Sequence, residues 1–273
     1  MLHARLFGVS RYDNGDLLGG CGNDAARTTL FLRSRGYNAQ PFFDGAATKS
    51  TILSELRGLV EQLRAEPGSF GVFYFSGHGF ASLVDGKPES MLCPADWLGC
   101  APQSGVLSSE MHDIVQPLRA SSSRLVAIFD ACCSGGMGPW LMQYADAEGL
   151  VQPSPLTGQA KCFGAPLIEP KDTPPFLTSG LALFDGITIL SACAPDAVAT
   201  EVGSAPFGKD EGPGGVFTYA LLDVLRDTSE TFELHSITAA AAKLIKDNHF
   251  TQTPQIIQNQ KGEVLFPSHP KTP

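Results

Sequence analysis

Two residues of this chain bring nucleophile and base chemistry to matching positions. His78 lies in Tyr74-Phe75-Ser76-Gly77-His78-Gly79, and Cys132 lies in Asp130-Ala131-Cys132-Cys133-Ser134-Gly135-Gly136. Each motif follows a run that is almost wholly apolar, residues 70–76 (FGVFYFS) and 123–129 (SRLVAIF). Runs of that kind read as central parallel strands buried on both faces. In open parallel sheets, active sites gather beyond the carboxyl ends of the strands, so the two motifs are expected to face one crevice. A thiolate is a strong nucleophile, and a neighbouring imidazole raises its share near neutral pH. A cysteine at a strand end, taken alone, reads as a small buried hydrophobe. The pairing of the two motifs, each carrying glycine, is what points to catalysis.

The elements that must position these residues follow from the alternation of short apolar runs with helical patterns, the signature of a sheet covered on both faces. Further strands are expected at 4–10, 38–43 and 186–192, and helices at 23–35, 49–65, 108–119, 215–226 and 235–247. In 49–65, Ile52, Leu53, Leu56, Leu59, Val60 and Leu63 recur at helical spacing after Thr48, and Glu66-Pro67-Gly68 ends the pattern. Residues 137–185 contain seven prolines and little periodicity, which reads as a long surface loop. No composition shift marks a second core, so residues 1–273 are expected to form one domain.

Composition removes several classes of function. The 273 residues carry 19 Lys+Arg against 28 Asp+Glu, a formal charge of −9, which opposes binding to a phosphate backbone. Nucleic acid is therefore not expected as a partner. No apolar run approaches the length of a membrane span, and the first residues lack a signal-peptide pattern, so a cytoplasmic protein is expected. The seven cysteines include no C-x-x-C pair and read as reduced thiols, with no metal site among them. Gly20-x-Gly22-x-x-Ala25 satisfies a loose dinucleotide fingerprint, but it stands about ten residues past its strand and puts Asp24 where a pyrophosphate needs donors.

The His and Cys motifs resemble those of the metacaspase and orthocaspase branch of the caspase-like cysteine peptidases (clan CD, family C14), in which the His precedes the Cys by about 50 residues. The resemblance extends to Gly20-Cys21-Gly22-Asn23-Asp24-Ala25, to Ile189-Leu190-Ser191-Ala192-Cys193 and to Gly215-Val216-Phe217-Thr218-Tyr219-Ala220. It implies the caspase-like α/β three-layer sandwich, a mainly parallel sheet with helices on both faces. It also implies His78 as general base, Cys132 as nucleophile, and the backbone N–H groups of Gly79 and Cys132 as an oxyanion hole. The family's pocket for the residue before the scissile bond, P1, is acidic. Its matching positions are Asp24 and Asp130, with Ser76 contributing, so protein or peptide substrates cut after Arg or Lys are expected. Asp24 also reads as an acid favoured by a helix N-terminus, and both readings can hold together. Cys133 stands where the family usually has His and reads as a packed neighbour.

Many members of that branch use calcium held by carboxylates, some of them just before the helix preceding the Cys strand. Ser108-Ser109 stand there in this chain, and Asp85 and Asp96 alone would make a weak site, so no cofactor is expected and calcium is not favoured. Between Arg124 and Lys209 the basic residues are Lys161 and Lys171, both in the 137–185 loop. They read either as autocleavage sites of an enzyme specific for basic residues or as ordinary solvated lysines. Two alternatives to a free-running peptidase remain: a latent effector switched on by a small molecule or partner, and a regulatory module with little turnover.

Overall fold

A computed structural model describes residues 1–85, 87–99, 101–131, 158–160, 187–193, 199–203, 212–226 and 233–258. Its central sheet is built by β1 (Leu2–Gly8), β2 (Asn38–Phe43), β3 (Phe70–Ser76), β7 (Arg124–Asp130), β9 (Ile187–Ser191) and β12 (Gln255–Gln258). Their order is β12-β9-β7-β3-β1-β2, parallel throughout except that β12 runs antiparallel to β9. Strands β4 (Gly79–Val84), β5 (Lys87–Leu92) and β6 (Val106–Leu107) form one small antiparallel sheet. A second small sheet joins β8 (Gly158–Ala160), β10 (Thr200–Val202) and β11 (Gly214–Gly215).

Side chains on successive strand residues point to opposite faces, and the two apolar cores divide by that rule. Phe73, Phe75, Leu125, Ala127 and Phe129 face one side and pack with Ile52, Leu56, Leu59 and Leu63 of α2 (Lys49–Ala65) and Met111 of α3 (Ser108–Val115). Val72, Tyr74, Val126 and Ile128 face the other. There they meet Phe31 and Leu32 of α1 (Cys21–Ser34), Phe217 and Leu221 of α4 (Val216–Arg226) and Ile237 of α5 (Leu234–Asp247). This is the three-layer arrangement expected from the sequence. Helix α2 keeps its expected bounds because its start is capped twice: Thr48 Oγ1 accepts the Thr51 N–H (3.2 Å), and Asp96 Oδ1 accepts the Lys49 N–H (2.8 Å).

Buried polar groups fix how the layers sit. Arg5, 3% exposed in the middle of β1, donates to Glu55 (2.7 Å) and Gln62 (3.0 Å) of α2. At the amino ends of β3 and β7, Ser69 Oγ donates to Ser123 Oγ (3.1 Å), Ser123 Oγ reaches the Leu63 carbonyl (2.7 Å), and the Arg124 N–H reaches the Ser69 carbonyl (3.0 Å).

Three sequence expectations need correction. The helix read over 108–119 ends at Val115 and tightens into a 3-10 turn over 116–120, because Pro117 brings no N–H to continue the α-helical ladder. The first strand is β1 at 2–8 rather than 4–10, since it pairs residue by residue with β3 from Leu2↔Phe70 onward. Within the segment read as a loop, residues 158–160 form β8, antiparallel to β10. Among the described residues, no helix is long and apolar enough to cross a membrane.

Candidate active site

Strands β3 and β7 run side by side and end together, with Ser76 paired to Asp130. The Gly77 N–H donates to the Asp130 carbonyl (3.3 Å), which joins the two strand ends just before the chain continues to the His and Cys motifs. His78 therefore stands two residues beyond Ser76, and Cys132 two residues beyond Asp130. Ala131 is the last described residue before Cys132; Cys132, Cys133, Lys161 and Lys171 lie outside the described residues.

His78 is 2% exposed. Its backbone N–H donates to the Tyr12 hydroxyl (2.7 Å), and its carbonyl accepts from the Cys93 N–H (3.0 Å). The Tyr12 and His78 rings lie 5.0 Å apart. The glycine at 77 is needed for space: a Cβ there would come within 2.8 Å of the Phe75 ring and 2.9 Å of the Tyr12 hydroxyl. Gly79 opens β4, opposite Leu92 of β5.

The three expected pocket residues come together, Ser76 and Asp130 on adjacent strand ends and Asp24 bonded to Ser76 from α1, and none has exposed surface. Asp24, in the first turn of α1, accepts from Ser76 Oγ (2.9 Å) and from the Gly215 N–H (2.9 and 3.0 Å to its two oxygens). Arg27 Nη1 lies 3.5 Å from the same carboxylate. The Arg27 guanidinium sits 4.5 Å over the Tyr219 ring and also donates to the Pro213 carbonyl (3.2 Å). Asp130 accepts from the Thr218 N–H (3.1 Å) and hydroxyl (2.6 Å), and that hydroxyl lies 2.6 Å from the Tyr74 hydroxyl. Buried carboxylates persist only where charge-assisted bonds offset their lost hydration, and each of these has such donors. Carboxylates so placed could accept hydrogen bonds from a guanidinium or an ammonium.

Several of these partners escaped the sequence reading. Glu201, 4% exposed on β10, accepts the Gly20 N–H (2.9 Å) and also the Gly19 N–H, so it fastens the start of α1. Its only sequence signal is a lone acid in the short segment Ala199-Thr200-Glu201-Val202. Gly214 brings the 212–215 segment down onto Asp24: a Cβ there would fall 2.6 Å from the carboxylate and 2.5 Å from Arg27.

The donors near α3 do not fit a calcium cluster. Ser108 and Ser109 are neutral, and Glu89 is committed to them, accepting from the Ser108 hydroxyl (2.5 Å) and the Ser109 N–H (3.2 Å). Asp96 caps α2, and Asp85 is an exposed turn residue. Hard cations need several converging oxygens, preferably charged.

A parallel sheet between two helical layers, with His78, Ser76 and Asp130 at the ends of adjacent central strands and Asp24 beside them, is the arrangement of a caspase-like domain. The chain belongs to the peptidase C14 family, whose caspase-domain model matches residues 1–265. Among curated relatives, Metacaspase-3 of Trypanosoma brucei brucei is 22% identical over 93% of this chain and 70% of its own length. Metacaspase-1 of Mycosarcoma maydis is 30% identical over 58% of this chain and 42% of its own. A solved structure from Geobacter sulfurreducens covers 99% of this chain and 98% of its own, with a TM-score of 0.66 at 15% identity, a likeness of fold.

Proposed function

We propose that this protein is a cysteine endopeptidase that cuts after Arg or Lys through a Cys132–His78 dyad. Cys132 Sγ attacks the scissile carbonyl while the N–H groups of Gly79 and Cys132 receive the oxyanion. The C–N bond breaks as His78 passes its proton to the leaving amine. Water, deprotonated by His78, then hydrolyses the thioester and releases the thiol. Asp24 and Asp130, with Ser76 between them, select the basic residue.

The observation that supports this reading is the Ser76↔Asp130 pairing, which ends two adjacent strands at one level, His78 and Cys132 each following two residues later in the sequence. A second reading, the latent effector, is favoured by one contact set: Asp24 is already engaged by Ser76, Gly215 and Arg27. A substrate guanidinium must displace Arg27 or the 212–215 segment, so a small molecule or partner that lifts this segment would activate the enzyme. The reaction is independent of calcium, since Asp96 caps α2, Glu89 is engaged at the start of α3 and Asp85 alone would hold the ion weakly, and the thiol chemistry suits a reducing compartment. Cleavage at Lys161 and Lys171 by the enzyme itself accompanies the activity.

Fluorogenic peptides with Arg, Lys or Asp at P1 test this, using wild type, Cys132→Ala and Cys133→Ala with and without calcium. We expect turnover of the Arg and Lys peptides alone, lost in Cys132→Ala, kept in Cys133→Ala and unchanged by calcium. Intact mass spectrometry should give a processed mass for wild type and an unprocessed one for Cys132→Ala. Turnover of the Asp peptide, or activity lost only in Cys133→Ala, would sink the assignment.

A further inference from the structure

The turn that follows β1 is built to end on His78. Arg11 and Leu17 form an antiparallel bridge, the Tyr12 N–H donates to the Asp16 carbonyl (3.1 Å), and the Gly15 N–H donates to the Tyr12 carbonyl (2.9 Å). The turn is fastened to the body where the Asp13 N–H reaches the Ala95 carbonyl (2.9 Å) and the Leu18 N–H reaches the Ser10 carbonyl (2.8 Å). Two of its side chains meet His78. Tyr12 holds the backbone of His78 and lies against its ring. Asp16 divides its carboxylate: Oδ1 accepts the Leu17 N–H (2.8 Å), and Oδ2 stands 3.4 Å from Nε2 of His78.

We propose that Asp16 is the positioning residue of the catalytic pair, a carboxylate that orients His78 through Nε2; the proposal rests on the Cys132–His78 reading above. With a carboxylate at Nε2, the neutral ring carries its proton there and presents the Nδ1 lone pair to the thiol. Once the thiol proton has moved to Nδ1, the same carboxylate stabilises the imidazolium. A separation of 3.4 Å is an ion-pair distance, and catalytic contacts of this kind tighten in the substrate complex. The anchored Oδ1 keeps the carboxylate from swinging away, although 37% of the Asp16 side chain is exposed while that of His78 is 2% exposed. A turn alone would need only the acceptor at Oδ1, which an asparagine supplies equally well. The charge is what the histidine requires.

Among the described residues, the titratable side chains in contact with the His78 ring are Tyr12 and Asp16, both from this turn. Because Cys132 can be alkylated without any peptide substrate, the test does not depend on P1 specificity. Wild type, Asp16→Asn, Asp16→Glu and His78→Ala are treated with iodoacetamide across pH, with Cys132 labelling read by peptide mass spectrometry. The kcat and KM for the Arg peptide are measured alongside. Asp16→Asn keeps the Leu17 acceptor and hence the turn. We expect its labelling rate near neutral pH to fall toward that of His78→Ala, and kcat to drop about fivefold with KM unchanged, the scale of a partly exposed ion pair. Asp16→Glu restores part of both. If Asp16→Asn labels and turns over like wild type while His78→Ala does not, Asp16 has no positioning role and the dyad stands. If wild type labels like His78→Ala, the dyad and this proposal fall together.

Discussion

Asp130 shows how much of the candidate site consists of residues that hold the acids in place. Its carboxylate is held by both the N–H and the hydroxyl of Thr218, and Tyr74 closes the chain behind them, all without contact to solvent. A threonine hydroxyl at that point orients the acid to which the proposed function gives the basic side chain. Thr218→Val preserves the shape and removes the hydroxyl, leaving a buried carboxylate with one donor fewer. The expected cost is about 1–3 kcal/mol of stability together with a raised KM for Arg peptides. Thermal unfolding in a Cys132→Ala background and steady-state kinetics in the active enzyme read the two effects. Lost stability with an unchanged KM would make Asp130 a structural acid only. His78, Asp24, Ser76 and Asp130 were legible in the sequence because each sits in a motif at the end of an element. Thr218, Glu201 and Asp16 were not, because their importance comes from contacts between segments far apart in the chain.

At the scale of elements, legibility followed periodicity. Helix α2 repeats its apolar residues over about three turns, and β3 and β7 are apolar apart from their ends, so pattern and burial agree. The small sheets left no such trace. β6 and β11 have two residues each and β8 has three, too short for alternation to register, and they exist because a partner strand receives their backbone groups. Leu56, 1% exposed on α2, packs under the central strands on the face opposite Asp24. Leu56→Ala should cost about 2–5 kcal/mol through the cavity it leaves, with P1 preference unchanged. Denaturant unfolding checks the first part, and a shift in the Arg-to-Lys rate ratio would contradict the second.

The whole molecule carries 28 acids against 19 bases, and its proposed substrates are cationic. An excess of negative charge draws basic peptides in and is screened by salt, so the rate of productive encounter should fall as ionic strength rises. We expect kcat/KM on peptides with several basic residues to decline with added salt more steeply than kcat/KM on a peptide with one. Parallel slopes for the two peptides would mean that recognition is confined to the pocket.

The serine pair that joins Ser69 to Ser123 lies at the opposite end of β3 and β7, about 23 Å from Ser76 at the rise of a strand. A slip of one residue between these strands would turn every side chain on one of them to the wrong face. Both arms of the proposed dyad are counted out from this clasp, which would make it a mechanical datum for the reaction. Substitutions at Ser69 or Ser123 should consequently resemble active-site lesions in a mutational survey, although no substrate comes near them. An engineer relocating the nucleophile would have to preserve that seam before altering anything at the cleft.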